Sequence, residues 1–377
     1  MSVAPFLQGF AKILRTHSKL CCRKFSVGSV CNDKIRSAVL TEINKPLEIK
    51  EESPVPLKEG QVRIDIQCCA LNTSDLFLWN GSGESKPTLP LVPGFEFSGT
   101  IVEIADSKSS SAENEADDDD DSDVLQVGDK VLALNKELLH GFSDQCVLHR
   151  DDVFKVPEKM TFEHAASLAD SYSTAHIVFS RHAKLKEKQT VLVTAAGGGL
   201  GIAAVDMATK IYKAKVIGVC NSEDKTDLIR QKGAWAALTF TNEKSLVKKV
   251  LEVSGGKYAN VVFEAVGGEV FKAAMHCVGH EGKLIVAGFS SKVIPEVYMG
   301  ELLQLPSISL IGVSLGNYRK HAPRIYRNVV KNVIKLYEEQ NLVPHICDRF
   351  PLERVNEALT LLDSGSTSGK IVINIKQ

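Results

Sequence analysis

The second half of the chain alternates short apolar runs with segments of helical periodicity. Residues 190–195 form an apolar, β-branched run that predicts a buried strand. A glycine-rich turn follows at once, and residues 202–212 then place apolar side chains on one helical face. Residues 215–220 predict a second buried strand. A strand, a glycine turn, a helix and a strand within about thirty residues predict a βαβ unit.

The same alternation continues downstream of this unit. The predicted helices are 226–232, 245–253 and 268–278, and the predicted strands are 235–240, 260–264 and 282–288. Such strict alternation predicts a parallel, doubly wound sheet.

The first third and the tail of the chain favour a β-rich structure. Residues 61–68 alternate apolar and polar side chains, as in a strand with one buried face. Further strands are predicted at 35–40, within 91–102, and at 143–148, 153–156 and 370–375; helices are predicted at 163–181, 323–339 and 355–363. We therefore predict a cofactor-binding domain at 159–313, inserted into a β-rich domain made of residues 33–158 and 314–377.

Composition narrows the class of protein. The 377 residues are 44% hydrophobic and 24% charged, with a net charge of −1, as in a soluble globular protein. The chain contains no run of about 18 apolar residues and no basic stripe, so we expect neither a membrane span nor nucleic-acid binding. Its nine cysteines are scattered without a C-x-x-C pair, which favours reduced thiols.

Two segments stand apart from the predicted domains. Residues 1–32 contain no acid, and their apolar residues recur at helical spacing among lysines and arginines. This composition is typical of a mitochondrial presequence and predicts import into the matrix; a disordered tail is the alternative. Residues 107–123 are a run of serines and acids, which predicts a disordered surface insertion within the β-rich domain.

The glycine-rich turn carries the main candidate chemistry. Ala196, Gly198 and Gly201 occupy the three positions of a dinucleotide fingerprint, with Gly199 and Leu200 between them. Backbone N–H groups and the helix N-terminus at such a turn can bind a pyrophosphate. The alternative is a turn that only packs a helix against the sheet.

Five ordered motifs carry a resemblance to a known family, from about residue 35 to the end of the chain. They are Leu71–Asp75, Pro93–Gly99, Val127–Val131, Ala195–Gly201 and Gly369–Lys370. With them the chain resembles the zinc-free medium-chain dehydrogenases/reductases of the quinone oxidoreductase (zeta-crystallin) type. The resemblance implies an α/β fold in which a Rossmann sheet is inserted into a GroES-like catalytic domain, with the active site in the cleft between them.

The resemblance also bears on metal. Zinc-binding relatives have a Gly-His-Glu sequence where this chain has Gly94, Phe95 and Glu96. A phenyl ring cannot bind zinc, and the structural cysteine cluster of those relatives is missing. We therefore expect no metal at the active site.

The same comparison assigns the cofactor contacts. Asn221 stands where NAD-binding proteins place an acid, and Lys225 matches a 2′-phosphate contact of the family, so the expected cofactor is NADPH. Glu223 and Asp224 have the wrong sign for this role, but acids suit the first turn of a helix. The remaining implied contacts are Thr174 near the nicotinamide, Gly267, Gly288 and Phe289 at strand ends, and Lys370 at the cofactor phosphates.

The substrate side is less complete. Asn72 resembles an asparagine that donates a hydrogen bond to a substrate carbonyl, which would stabilise the charge that hydride transfer builds there. Asp75 is expected only to cap a turn that begins at residue 76. Several relatives carry tyrosines after this motif, whereas this chain has Phe77 and a Gly-Ser-Gly stretch.

These expectations combine into one function. We predict an NADPH-dependent reduction of a quinone or of an α,β-unsaturated carbonyl compound. The open alternatives are an enoyl thioester reductase and an NADPH-binding scaffold or sensor with little turnover. Removal of residues 1–32 would delete five cations and leave an acidic chain, which disfavours binding of single-stranded RNA. The resemblance also suggests a homodimer, paired along an edge strand near residues 307–313.

Overall fold

Two large sheets, one parallel and one largely antiparallel, organise the chain. The computed structural model describes residues 34–83, 87–105, 124–340 and 342–376. The predicted targeting segment and the predicted acidic insertion lie outside these ranges.

The regular elements follow the predicted alternation closely. The strands are β1 (Ile35–Val39), β2 (Glu48–Glu52), β3 (Gln61–Leu71), β4 (Glu96–Ile104), β5 (Lys130–Leu134), β6 (Gln145–His149), β7 (Val153–Lys155), β8 (Thr190–Val193), β9 (Lys215–Cys220), β10 (Ala236–Thr239), β11 (Ala259–Glu264), β12 (Val278–Val286), β13 (Ser309–Gly312), β14 (Ile346–Pro351) and β15 (Lys370–Asn374). The helices are α1 (Thr73–Asn80), α2 (Phe162–Ile177), α3 (Gly199–Asp206), α4 (Thr226–Gln231), α5 (Glu243–Val253), α6 (Gly268–Met275), α7 (Met299–Leu302), α8 (Leu315–His321), α9 (Pro323–Gln340) and α10 (Val355–Asp363). Wider π-helical turns extend α2 over Val178–Ala183 and α3 over Met207–Ile211.

The parallel sheet confirms the predicted doubly wound fold. Its strand order is β10-β9-β8-β11-β12-β13, and each neighbouring pair runs parallel. After β8 the chain adds β9 and β10 on one side of this strand, and it then crosses to the other side and adds β11, β12 and β13. The crevice above the carboxyl ends of two such strands is where dinucleotides bind in folds of this type.

The second sheet brings the two ends of the chain together. Its order is β14-β15-β3-β4-β5-β7, and β6 pairs with β3. The last strand lies antiparallel to β3, with Ile371 opposite Leu71. This register brings Lys370 beside Asn72, although nearly 300 residues separate them.

Helix α2 connects the two sheets. It packs against β3, β4 and β5 on one side and against α3 on the other. Its first carbonyl, that of Phe162, accepts a hydrogen bond of 2.6 Å from the Ser98 hydroxyl. The core contains side chains of both sheets, so the cleft between them has well-packed walls.

The observed elements differ from the predicted ones in a few places. Helix α6 ends at Met275 and β12 begins at Val278, so the predicted helix 268–278 is too long. Strand β2 and helix α8 were not predicted at all. Within the described ranges, no helix is both long and apolar enough to cross a membrane.

Candidate active site

The glycine turn lies at the crevice between β8 and β11. Strand β8 ends at Val193, and Ala195 adopts a left-handed φ of 46°, which begins the turn. Helix α3 then begins at Gly199, three residues earlier than predicted. A Cβ atom on Gly201 would lie 2.0 Å from the carbonyl oxygen of Ala195, so this position requires glycine. The sequence prediction of a tight strand-to-helix turn is confirmed.

Two adjoining cavities meet at this turn. One, of about 340 Å³, extends over the end of β9, and the other, of about 180 Å³, extends toward α2 and β12. Both are lined by Ala195, Gly198 and Gly199. They therefore form one groove with the turn at its middle.

Most of the predicted contacts line this groove. Asn221 and Lys225 lie at the larger cavity. The smaller cavity is lined by Asn72, Thr174, Gly198, Gly199, Leu200, Gly201, Gly288, Phe289 and Lys370.

Two predicted residues lie behind the groove instead. Ala196 is fully buried, and its N–H donates to the carbonyl of Val219 at 2.8 Å. Gly267 donates its N–H to the Glu264 carboxylate, and a Cβ there would lie 2.4 Å from the carbonyl oxygen of Val293. Both residues shape the backbone of the groove, whereas neither lines it.

A buried ion pair forms the floor of the smaller cavity. Lys370 Nζ lies 2.8 Å from Glu96 Oε2, and the two side chains are 5% and 1% exposed. The Lys370 ammonium also donates to Asn72 Oδ1 at 2.5 Å. Its aliphatic chain lies against Gly199. Lys370 is thus held under the turn by two acceptors of the β-rich part of the chain.

The amide of Asn72 is largely engaged by the protein. One N–H donates to Glu96 Oε2 at 3.1 Å, and Nδ2 makes a longer contact of 3.4 Å with the carbonyl of Ala70. A length of 3.4 Å is at the weak end for an N–H···O bond. The second N–H of the Asn72 amide is therefore only weakly bound to the Ala70 carbonyl, so it could donate to a substrate oxygen instead.

The expectation for Asp75 is wrong in detail. Helix α1 begins at Thr73, so Asn72 is its N-cap and Asp75 is the third helical residue. The fully buried Asp75 carboxylate accepts hydrogen bonds from the N–H groups of Asn72 and Gly94, at 2.9 and 3.0 Å. Burial raises the pKa of Asp75 to about 7. Asp75 therefore fixes the two loops that carry Asn72 and Glu96.

Sequence reasoning missed a second charged pair in the smaller cavity. Lys136 Nζ lies 2.7 Å from Asp170 Oδ1 and 4.9 Å from the centre of the Phe95 ring. Both charged side chains line the cavity, and Lys136 remains 36% exposed. The N–H of Asp170 donates to Glu96 Oε1 at 2.9 Å, which joins this pair to the buried one.

No local pattern marks these residues in the sequence. Lys136 follows β5, Asp170 lies within α2, and Glu96 opens β4, so only the fold brings them together. Glu96 was visible as part of a motif but had no assigned role.

At the other end of the groove, two predicted side chains share one acceptor. Asn221 Nδ2 and Lys225 Nζ donate to the carbonyl of Gly365 at 3.2 and 2.8 Å. Lys225 is 5% exposed, and burial lowers its pKa. An ion pair between Lys292 and Asp363 lies beside the same cavity.

The donor set of the groove fits a phosphorylated dinucleotide. The first turn of α3 has backbone N–H groups without helical acceptors, as at any helix N-terminus, and these groups lie at the middle of the groove. A lysine lies at each side of the turn, because the chain of Lys225 rests on Gly197 and that of Lys370 rests on Gly199.

The described residues also show whether side chains are placed to bind a metal ion. Across the ranges that the structure describes, no three His, Cys, Asp or Glu side chains are placed to hold a metal ion. Phe95 is buried at 1% exposure beside the cavity floor.

Comparisons with known proteins show which family the chain is similar to. A family model described as zinc-binding dehydrogenase matches residues 199–338, and one described as alcohol dehydrogenase GroES-like domain matches residues 58–162. The chain is 36% identical to a quinone oxidoreductase-like protein 2 homolog of Nematostella vectensis, over 91% of this chain and 89% of that protein. It is 31% identical to quinone oxidoreductase-like protein 2 of Bos taurus, over 92% and 94% of the two chains. The crystal structure of Escherichia coli quinone oxidoreductase complexed with NADPH superposes with a TM-score of 0.77 at 22% identity, over 90% of this chain and 99% of that one.

Proposed function

We propose, for a chain that belongs to the quinone oxidoreductase-like proteins of the medium-chain dehydrogenase/reductase family, an NADPH-dependent reduction of a quinone or an α,β-unsaturated carbonyl compound. Bound NADPH supplies the hydride from its nicotinamide ring. The chain itself binds and orients the two reactants.

One observation carries the proposal: the two cavities join at the glycine turn. A dinucleotide has a pyrophosphate at its middle, and the turn offers backbone N–H groups and a helix N-terminus there. The larger cavity then takes the adenosine half, and the smaller one takes the nicotinamide and the substrate.

The adenosine end favours a 2′-phosphate. The chain has Asn221 rather than a carboxylate at the end of β9, and the Lys225 ammonium lies at the same cavity. NAD-binding folds use an acid there to hold the ribose 2′-OH, and an acid would repel the extra phosphate of NADPH. Lys225 already holds a carbonyl oxygen, so a phosphate oxygen can replace Gly365 as its acceptor.

The nicotinamide end contains the residues that position a substrate. Thr174 of α2 and the Gly288–Phe289 segment after β12 both line the smaller cavity. Asn72 offers its weakly held N–H to a carbonyl oxygen, and the buried Glu96–Lys370 pair fixes the orientation of that amide. A fixed donor stabilises the oxyanion that forms when hydride reaches the substrate.

The test is oxidation of NADPH by the full chain with a panel of quinones, enones and enoyl thioesters, alongside calorimetric binding of NADPH and NADH. We expect NADPH to bind more tightly than NADH and to be oxidised by quinones. Binding without oxidation would support the scaffold instead, and preference for enoyl thioesters would support the rival reductase. Absence of binding for both nucleotides would refute the proposal.

The second copy in a homodimer is proposed to pair with the free edge of the parallel sheet. Strand β13 is the last strand of that sheet, and Leu310 on it is 39% exposed. The preceding segment exposes Tyr298, Met299 and Leu303 at 76%, 70% and 90%. An edge strand beside exposed apolar side chains favours pairing with another strand.

Import into the mitochondrial matrix is proposed from the cationic, acid-free composition of residues 1–32. A fusion of these residues to a fluorescent protein should be carried to mitochondria. A fusion that stays in the cytosol would count against the proposal.

A further inference from the structure

We infer that Lys136 is a further catalytic residue, which stabilises and protonates the oxygen of a quinone substrate. The inference rests on the proposed function and narrows its substrate class. It arises from the Lys136–Asp170 pair, which has no role in the sequence analysis.

The position of Lys136 suits a substrate contact. Asp170 and Thr174 are four residues apart on α2, so they share one face of the helix about one turn apart. Both line the smaller cavity, as does Lys136. The ammonium is therefore about one helical turn from the residue predicted to lie near the nicotinamide.

Lys136 also differs from the other lysine of this cavity. Lys370 is 5% exposed and already bound to Glu96 and Asn72. Lys136 forms an ion pair with Asp170, its ammonium lies 4.9 Å from the centre of the Phe95 ring, and its side chain is 36% exposed. An ammonium group carries three hydrogens, so Lys136 has a donor available for a ligand in the cavity.

The chemistry of a quinone matches this donor. The hydride, which leaves a C–H bond of the nicotinamide with two electrons, would form an O–H bond at one quinone oxygen. As the ring becomes aromatic, the displaced electron pair ends on the other oxygen, which is then a phenolate. That oxygen takes a proton from Lys136 Nζ, which becomes a neutral amine and regains a proton from water through its exposed side. A positioned ammonium group can act in this way as a general acid toward a developing oxyanion.

An enoyl thioester would use the same lysine less well. Its reduction ends with a proton on the α-carbon rather than on the oxygen, and no phenol side chain is found at the cavity among the residues that the structure describes. Asp170 and Phe95 hold the Lys136 ammonium at the smaller cavity, where it would serve an oxygen better than a carbon, so quinones are the class that the pair favours.

The test compares Lys136→Met with Lys130→Met. Lys130 is a matched control, because its Nζ also lies over a phenyl ring, that of Phe162 at 4.6 Å, but it does not line the groove. We expect Lys136→Met to lower kcat for a quinone roughly a hundredfold while NADPH binding changes by less than about twofold. Lys130→Met should behave like the unmodified chain in both measurements.

A second readout does not depend on turnover. The probe is 4-nitrophenol, whose ionised form absorbs at a longer wavelength, added to the unmodified chain loaded with NADP⁺. We expect the bound probe to ionise at a lower pH than the free probe, and Lys136→Met to remove this shift. A bound probe that ionises like the free one would overturn the inference.

The other outcomes are equally decisive. Full quinone turnover in Lys136→Met would overturn the role of Lys136 but leave the proposed function intact. Loss of NADPH binding in this variant equal to the loss of rate would place Lys136 at the cofactor and also overturn the inference. Failure of the unmodified chain to bind NADPH would instead refute the proposed function itself.

Discussion

Removal of one partner of the buried Glu96–Lys370 pair should lower the free energy of unfolding by an amount that the structure allows us to calculate. Glu96 accepts hydrogen bonds from Lys370 Nζ, Asn72 Nδ2 and the N–H of Asp170, at 2.8, 3.1 and 2.9 Å. Both charged side chains are almost completely removed from water. Glu96→Gln keeps the shape of the side chain but leaves the Lys370 ammonium buried without a counter-charge.

The expected cost follows from that unpaired charge. Breaking a buried pair by removing one partner lowers the free energy of unfolding by about 3–5 kcal/mol. The glutamine oxygen still accepts one hydrogen bond, so we expect the lower end, about 3 kcal/mol. Lys370→Met should cost a similar amount, because it leaves the carboxylate unpaired. The double variant removes both charges, so its loss should be smaller than the sum of the single losses by about 2–3 kcal/mol.

Urea denaturation of the four proteins measures these differences directly. Each midpoint, combined with a common m-value, gives the free energy of unfolding without cofactor. The reasoning is refuted if Glu96→Gln costs less than about 1 kcal/mol or if the two single losses simply add. The same Lys370→Met protein tests the predicted phosphate contact, since an unchanged affinity for NADPH would show that this lysine does not contact the cofactor.

Three further predictions concern the cofactor, pH and assembly. Lys225→Met should weaken NADPH binding about tenfold to a hundredfold by calorimetry, because a charge-assisted hydrogen bond contributes about 1.5–3 kcal/mol, while NADH binding stays constant. Burial raises the pKa of Asp75 from 3.8 to about 7, so the folded chain holds a proton that the unfolded chain releases. The resulting contribution of Asp75 to the free energy of unfolding is complete below pH 3.8 and is lost as the pH rises to about 7, a fall on the order of 4 kcal/mol. Denaturation of Asp75→Asn across this pH range should not show that fall. Leu310→Glu should place a charge on the proposed dimer edge, and sedimentation should then show monomers where the unmodified chain shows dimers.

The parallel sheet was predictable from local sequence. Strands such as β8 and β11 are buried on both faces, so they appear as continuous apolar runs separated by helical periodicity. The glycine turn was predictable for a similar reason, because Gly201 must approach the Ala195 carbonyl closely. Features that depend on burial or steric contact between neighbouring residues can therefore be detected in the local sequence.

The elements that were missed leave no such trace. All five residues of β2 are exposed, and four of them are charged, so the strand has no buried face to give a period of two. Strand β12 begins at Val278, earlier than its apolar run suggests, because Val278 pairs with Ala259 of a neighbouring strand. Pairing across the sheet determined that boundary, and a single sequence does not show pairing.

The charged side chains of the site illustrate the same limit. Asn72 and Lys370 could each be picked out by a motif, but their hydrogen bond spans 298 positions and depends on the register of β15 against β3. By the family resemblance, Lys370 is predicted to contact a cofactor phosphate. In the fold its ammonium already donates to Asn72 and Glu96. A motif identifies which residues reach the cleft, and only the surrounding acceptors determine what each can still bind.

Phe95 bears both on metal binding and on the position of the Lys136 ammonium. By the resemblance described above, Phe95 stands where zinc-binding relatives have a histidine, and a phenyl ring cannot bind a Lewis-acid metal. Its face also attracts a cation, and the Lys136 ammonium lies 4.9 Å from the ring centre. The residue that takes a metal ligand away therefore helps to hold a positive charge in the same cavity. If the chain transfers hydride to a carbonyl compound, as proposed, positive charge or a donor is needed near the developing oxyanion. We propose that the ring and the lysine act together to provide it.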